Sequence, residues 1–160
     1  RLDQDVLHWQ MGDGPNAAFV RDLFELRRMI EPEAAALAAQ RASSERLSEI
    51  EGALLLMEST DAGSKASIAA DVAFHHAILV ATQNEFVAHF APAIEASLSL
   101  AFGFQRRRLP DRDQFIPDHR AILDAIRRGN PDAARASVLA LLAEAEADAM
   151  EGLRLEEGSR

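Results

Sequence analysis

The sequence predicts an all-α fold, an antiparallel bundle of six or seven helices joined by short connections. Alanine, leucine, glutamate and arginine dominate its 160 residues, and these residue types have high helix propensity. Aromatic residues make up only 6% of the chain and tyrosine is absent, so the composition has little β-sheet character. No stretch alternates apolar and polar residues between hairpin turns.

The chain opens with a short segment followed by a long helix. The segment Leu2–Met11 is amphipathic and ends at the glycine- and proline-containing residues 12–15. A long helix is predicted from about Asn16, and Pro32 inside it should kink or divide that helix. Its apolar positions recur at helical spacing at Phe19, Leu23, Leu26, Ile30 and Leu37.

Two further helices are predicted up to residue 82. Ser43 and Ser44 are N-cap candidates for the first of them, which ends at a loop over residues 62–64. The next helix runs from about Lys65 to Thr82. The two apolar stripes are Leu47, Ile50, Leu54 and Met57 in the first, and Ile68, Val72, Phe74, Ile78 and Leu79 in the second.

The middle of the chain is predicted to hold one kinked helix and a loop. Asn84 is expected to cap a helix that reaches about Arg107, and Pro92 should kink it. The stretch Leu109–Pro117 carries two prolines and several charges, which indicates a loop.

Two helices joined by a tight turn complete the prediction. A helix over Asp118–Arg128 should end at Gly129, a residue suited to the position after a helix. Asn130 is placed to cap the last helix, which runs from Pro131, a typical first-turn residue, to about Leu155.

Composition and charge exclude several classes of function. The chain has 17 basic and 26 acidic residues, and a net charge of −9 argues against wrapping nucleic acid or lying on an anionic membrane. Without cysteine there is no disulfide, thiolate metal site or cysteine nucleophile. No apolar run is long enough for a membrane helix, and no signal peptide is recognisable, so a cytoplasmic location is expected. The chain lacks an initiator methionine, which suggests a fragment of a longer protein.

Asp71 and His75 are the most informative pair of polar residues. They are four residues apart, so on a helix both side chains project from one face. A carboxylate and an imidazole placed in this way suit a divalent metal ion, and His119 could complete a three-ligand site. The alternatives are a simple Asp71–His75 pair or a hydrogen-bonded core histidine.

Known catalytic and metal-binding motifs do not occur. No glutamate lies three residues before a histidine, and neither His-Glu-x-x-His, Gly-x-Ser-x-Gly nor a phosphate loop is present.

Arg27 lies among apolar residues and would need a partner if buried, either Glu31 or a ligand anion. The run Arg106–Arg108 is either a solvated helix end or the source of one arginine that holds an anionic ligand.

Three runs of sequence together resemble one protein family. The run DLFELRRMIEPEAAALAA resembles the first helix of the effector-binding (FCD) domain of GntR-type transcription regulators, FadR subfamily. The run DVAFHHAILVATQN resembles the family's central Asp-x-x-x-His helix, and DHRAILDAIRRGNPDAARA resembles its last two helices. The leading LDQDVLHW is similar to the segment that joins the two domains in sugar-acid-responsive, galactonate-type members.

The resemblance implies a domain organisation and a ligand set. Residues 1–15 would be a linker and short helix after a missing winged helix-turn-helix domain, and residues 16–157 would be the all-helical effector-binding domain. The family's metal ligands fall on Asp71, His75 and His119. Its usual fourth histidine falls on Leu141, which leaves a coordination position open. The effector-binding candidates that it implies are Arg27, for the effector carboxylate, and Asn84, which could equally be a helix cap.

The resulting hypothesis is a metal-assisted sensor rather than an enzyme. A small carboxylate, a sugar acid or a related hydroxy or keto acid, would bind at a divalent metal ion, with zinc favoured and nickel or manganese as alternatives. Its binding would control operator DNA through the missing domain of a homodimer, and this chain alone should not bind the operator. The rival hypotheses are a metal-dependent hydrolase on the same scaffold and a purely structural helical dimerisation module.

Overall fold

The computed structural model describes residues 16–95 and 112–157, and within them the fold is all-helical, as predicted. Residues 91–95 are also helical, ahead of the segment that is not described. The six helices with defined bounds are α1 (Ala17–Arg41), α2 (Ser44–Ser59), α3 (Lys65–Ala81), α4 (Glu85–Ala88), α5 (Arg112–Arg127) and α6 (Pro131–Glu157).

Short polar side chains fix where the first helices begin. The side chains of Asn16, Ser43 and Ser64 each accept a hydrogen bond from the backbone N–H three residues later. These bonds satisfy N–H groups that have no partner inside the helix. The predicted starts of α1, α2 and α3 are therefore confirmed.

The turn between α5 and α6 also follows the prediction. Gly129 adopts a φ of +65°, a left-handed conformation that costs glycine little. The N–H of Asn130 donates to the carbonyl of Ala125, and the Asn130 side chain accepts from the N–H of Ala133. The first contact closes the end of α5 and the second caps α6.

Helix α1 lies at the centre of the packing. It packs most extensively against α6 and also contacts α3 and α5, while α2 packs against α3 and α5. Two ion pairs reinforce the contact between α1 and α6: Arg28 with Glu146, and Arg135 with Glu33 at 2.7 Å. The main core is apolar and includes Val20, Phe24, Ile50, Leu54, Met57, Phe74, Ile122, Leu123 and Leu142.

The buried face of α1 differs from the predicted apolar stripe. The predicted positions Phe19, Leu23, Leu26, Ile30 and Leu37 are only half-buried. The fully buried face consists of Val20, Phe24, Arg27, Glu31, Pro32, Ala34, Ala35, Ala36 and Ala38. The prediction followed the large apolar side chains, whereas the helix buries its alanines, which permit close approach of neighbouring helices, and one ion pair.

Pro32 and Pro92 have different effects on the helices in which they were predicted to lie. Pro32 does not divide α1, which continues to Arg41 with α3 and α6 packed against it. Pro92 does more than kink a helix: α4 ends at Ala88, and helical structure resumes only at residue 91. A proline at 92 lacks the N–H that would bond the carbonyl of Ala88, and its ring would clash with that carbonyl in a continuous helix.

The predicted loop over Leu109–Pro117 is wrong from residue 112 onward. Helix α5 begins at Arg112, and Pro117 lies inside it. Phe115 and Ile116 pack against the main core, so tertiary packing outweighs the local preference of the proline.

The predictions for residues 1–15, for the part of the helix from residue 96 to Arg107 and for the run Arg106–Arg108 fall outside the described residues. Within the described ranges, no helix is long and apolar enough to cross a membrane.

Candidate metal centre

The three predicted metal ligands converge in the interior of the bundle. Asp71 and His75 lie one turn apart on α3, and His119 approaches from α5. Their exposed fractions are 3%, 4% and 0%. One donor atom from each side chain lies within 4.8 Å of the other two. His119 therefore contacts Asp71, although the two residues lie 48 positions apart in the sequence.

Both imidazoles direct Nε2 at the same carboxylate oxygen. His119 Nε2 lies 3.1 Å from Asp71 Oδ1, and His75 Nε2 lies 3.2 Å from it. His75 Nε2 is buried and has no hydrogen-bond partner among the described residues. Buried polar atoms are almost always bonded, so an unpartnered nitrogen directed at a carboxylate calls for a physical explanation.

The opposite nitrogen of each ring is held by a separate group. His119 Nδ1 lies 2.8 Å from the backbone carbonyl of Phe115, which can only accept, so Nδ1 carries the proton. His75 Nδ1 lies 2.9 Å from Glu31 Oε2 on α1. In a neutral ring each of these contacts leaves the lone pair on Nε2, the tautomer that binds a metal ion.

Electrostatics in the site favour charged carboxylates. Burial alone would raise the pKa of Asp71, but the His119 and His75 imidazoles hold it well below its usual range. Burial opposes ionisation of Glu31 as well, yet Arg27 and His75 lower its pKa to about 2. Burial would lower the pKa of His75, but the carboxylates of Glu31 and Asp71 raise it to about 9. The group therefore attracts positive charge.

The donor set fits a divalent metal ion. Two imidazole nitrogens and one carboxylate oxygen are typical zinc ligands, with ligand distances of about 2.0–2.2 Å. Tetrahedral ligands at that distance from zinc lie about 3.3 Å from one another, close to the two Nε2–Oδ1 separations. An ion bound between these atoms would also give the unpartnered His75 Nε2 a partner.

Arg27 is buried and paired with Glu31, one of the two partners predicted for it from the sequence. Its exposed fraction is 1%, and its Nε lies 2.6 Å from Glu31 Oε1. The guanidinium carbon lies 5.1 Å from the centroid of the Phe24 ring. The described contacts of Arg27 are thus internal, and its role toward an effector remains a prediction.

The other residues singled out by the sequence take structural positions. The side chain of Asn84 accepts hydrogen bonds from the N–H groups of Phe86 and Val87 and so caps α4. Leu141 is buried and belongs to the apolar core, and its side chain offers no donor to a metal ion. The contact of Asn84 with an effector remains a prediction.

A small cavity adjoins the site on the side of α1 and α6. Glu31 and His75 form its polar part, and the remainder is apolar. The lining residues are Glu31, Ala34, His75, Ile78, Leu79 and Val138.

Two contacts of the site were not predicted from the sequence: that of Glu31 with His75, and that of Phe115 with His119. The first had a signal. Glu31 lies four residues after Arg27 on a helix rich in alanine, and a buried arginine with one acidic neighbour suggests a polar face turned inward. The second is a backbone contact within one helix turn and has no sequence signal.

Comparison with known proteins finds one family model and two curated relatives that match the chain. The family model of the FCD domain matches residues 22–144. The chain is 34% identical over 145 residues to the galactonate operon transcriptional repressor of Escherichia coli K12, covering 89% of this chain and 62% of that protein. It is 32% identical over 133 residues to the HTH-type transcriptional regulator LutR of Bacillus subtilis 168, covering 79% and 60%. The chain thus spans about three-fifths of the length of these relatives.

Solved structures show the same architecture. Streptococcus agalactiae GntR superposes with a TM-score of 0.67 at 28% identity, over 79% of this chain and 57% of that one. The metal-free FCD domain of TM0439 superposes with a TM-score of 0.68 at 22% identity, over 89% of this chain and 99% of that one. The second match supports the fold alone, because its identity is low.

Proposed function

The chain belongs to the FCD domain family of GntR-type transcription regulators, and from that membership we propose that it senses a small carboxylate for a longer regulator. In this proposal residues 16–157 form the effector-binding domain and residues 1–15 belong to the linker. The longer regulator binds operator DNA as a homodimer through a winged helix-turn-helix domain that precedes the linker. The relatives' greater length is consistent with such a domain.

The observation that carries the proposal is the buried Nε2 of His75, which has no hydrogen-bond partner in the described part of the chain and faces Asp71 beside the Nε2 of His119. We assign Asp71, His75 and His119 as the metal ligands, and zinc as the ion most consistent with two imidazoles and a carboxylate. When bound, the ion supplies a Lewis-acid centre for an oxygen atom of the effector. Three protein ligands leave a tetrahedral coordination position for that oxygen.

Charge supports a carboxylate as the effector. When the imidazoles are neutral, as metal binding requires, the five described side chains of the buried group carry one positive charge, on Arg27, and two negative charges, on Glu31 and Asp71. A divalent cation changes the total to one positive charge, and one carboxylate restores neutrality, which a buried site favours. Arg27 has further N–H donors for that carboxylate. A sugar acid is the preferred class because one relative is named for a galactonate operon.

Signal transmission follows from the position of α1. This helix carries Arg27 and is the first described element after residues 1–15. A ligand that binds one helix arrangement more tightly than another shifts the population toward it, with a coupling free energy of about 1–3 kcal/mol. An effector held by Arg27 therefore biases the position of α1 and, through the linker, the spacing of two DNA-binding domains.

The two rival functions have less support. A hydrolase would need a general base beside a metal-bound water, and the curated relatives are transcription regulators rather than enzymes. A structural dimerisation module gives no reason to bury an unpartnered imidazole nitrogen against a carboxylate. A chelator should have no effect on such a module, whereas it should remove the metal ion from the proposed sensor.

Metal analysis of one variant and a matched control tests the proposal. We expect about one zinc ion per chain in the purified wild-type protein after zinc loading, and less than about a tenth of that in Asp71→Ala, because the shared oxygen is lost. Asp61→Ala removes an exposed aspartate from the loop before α3 and should leave the zinc content unchanged. Equal zinc content in Asp71→Ala and wild-type protein would rule out the assigned site.

A further inference from the structure

One carboxylate connects the two functional halves of the buried site. Glu31 Oε1 lies 2.6 Å from Arg27 Nε, and its other oxygen, Oε2, lies 2.9 Å from His75 Nδ1. All three side chains are at most 4% exposed. Glu31 therefore contacts a proposed metal ligand and the proposed effector anchor at the same time, although it is neither of them.

The contact with His75 decides which ring nitrogen is available. A carboxylate oxygen accepts a hydrogen bond, so Nδ1 carries a proton, and in the neutral ring that a metal ion binds Nε2 presents its lone pair toward Asp71. Without Glu31, the ring could place its proton on Nε2, donate it to Asp71 Oδ1 at 3.2 Å, and satisfy both groups. That arrangement would block the nitrogen that is needed for a metal ion.

The two histidines are held in different ways. A backbone carbonyl, that of Phe115, orients His119, and no substitution at that position removes it. A side chain from a different helix orients His75. The geometry of His75 thus depends on the position of α1 relative to α3, whereas the orienting contact of His119 lies within α5.

We propose that Glu31 is a positioning residue: it holds His75 with Nε2 toward the metal ion, and Arg27 in turn holds Glu31. The inference rests on the proposed function, because it takes the metal site as given. Partners of metal-bound histidines typically contribute 10- to 100-fold to metal affinity. By this relay, the arginine assigned to the effector influences the metal site without contacting it.

The test compares zinc affinity in matched variants of the full chain, measured by competition with a chromophoric chelator. We expect Glu31→Ala to raise the zinc dissociation constant about 10- to 100-fold. Glu31→Gln keeps an oxygen that can accept from Nδ1 and should lose less affinity than Glu31→Ala. Glu33→Gln, which removes an exposed carboxylate two residues away on α1, should stay within about twofold of wild type. Circular dichroism of the metal-free proteins establishes that the compared variants are equally helical.

The outcomes separate this inference from the proposed function. A folded Glu31→Ala variant that binds zinc within about twofold of wild type overturns the positioning role and leaves the metal site intact. Failure of the wild-type chain to bind zinc overturns the proposed function itself. If neither variant folds, long-range ¹H–¹⁵N NMR of the zinc-loaded wild type decides. A protonated Nδ1 on His75 supports the inference, and coordination through Nδ1 overturns it.

Discussion

His75 and His76 are adjacent in the sequence, yet their side chains have opposite environments. His75 is buried between Glu31 and Asp71, whereas the His76 side chain is 48% exposed and lies 3.0 Å from Glu95. Successive residues on a helix point about 100° apart, so His75 can face the interior while His76 faces the solvent. Burial, rather than residue type, distinguishes the candidate ligand from the surface residue.

Leu141 allows the three-ligand assignment to be tested by addition rather than loss. It is buried and lies one turn after Val138, which lines the cavity beside His75. We expect Leu141→His to supply a fourth donor and to lower the zinc dissociation constant by about tenfold or more, measured by chelator competition. Leu139→His, at a position that is 40% exposed, is the matched control and should match wild type. Equal affinities for all three proteins would show that residue 141 does not face the site.

Sequence reasoning could identify part of the site because part of it is local. The pair Asp71 and His75 follows from a spacing of four on a helix, whereas His119, 48 positions from Asp71, was a candidate third ligand by residue type and was assigned to the site by the family resemblance. The contact of Glu31 with His75 was not predicted, because it depends on how α1 packs against α3. Side-chain pairs within a helix are readable from spacing, and pairs between helices require the tertiary structure.

At the scale of elements, the turn between α3 and α4 shows how a polar residue can be structural. Gln83 adopts a φ of +54°, and its side chain donates to the carbonyl of Arg41 at the end of α1. Arg41 in turn donates to the carbonyl of Thr82 at 3.2 Å. These reciprocal contacts join the C-terminal ends of α1 and α3, and Asn84 then begins α4.

Substitution of Asn84 tests its role as the cap of α4. We expect Asn84→Ala to lower the free energy of unfolding by about 1 kcal/mol, because two backbone N–H groups lose their acceptor. Asn84→Asp keeps an equally good cap and should retain stability, measured by urea unfolding of both variants. If Asn84→Ala unfolds at the same urea concentration as wild type, the cap does not stabilise the fold.

Element boundaries were predictable where a cap defines them and not where packing does. The helix starts predicted at about Asn16, at Ser43 or Ser44 and at about Lys65 agree with the caps at Asn16, Ser43 and Ser64. The predicted start of α5 was wrong because the prolines and charges of residues 109–117 indicated a loop, whereas the partly buried Phe115 and Ile116 pack against the core and favour a helical segment. A proline in the sequence indicates that a helix is locally unfavourable. The packing that compensates for it is visible only in the tertiary structure.

At the scale of the whole molecule, α1 connects most parts of the bundle. It contacts α3, α5 and α6, and two ion pairs join it to α6. It also contributes Arg27 and Glu31 to the buried site. A change at the site that moves α1 must therefore alter its packing against three neighbouring helices. Close-packed helices favour a few discrete positions of α1 over a continuous range of positions.

The proposed role of α1 predicts that binding of the metal ion and binding of the effector are thermodynamically linked. We expect a panel of small hydroxy acids that includes D-galactonate to contain a ligand whose dissociation constant is about 10- to 100-fold lower for zinc-loaded than for chelator-treated protein, by isothermal titration calorimetry. Reciprocity then requires the same acid to raise zinc affinity by the same factor.

Arg27→Met should weaken binding of that acid by about 10- to 100-fold, because a charge-assisted hydrogen bond contributes about 1.5–3 kcal/mol. Arg28→Met removes the neighbouring arginine, whose described partner is Glu146 on the surface of α6, and should bind the acid as wild type does. Equal losses in both variants would mean that general positive charge, not the buried guanidinium, attracts the acid. Equal binding by metal-free and zinc-loaded protein would separate the effector from the metal centre and leave α1 without its proposed role in transmitting the signal.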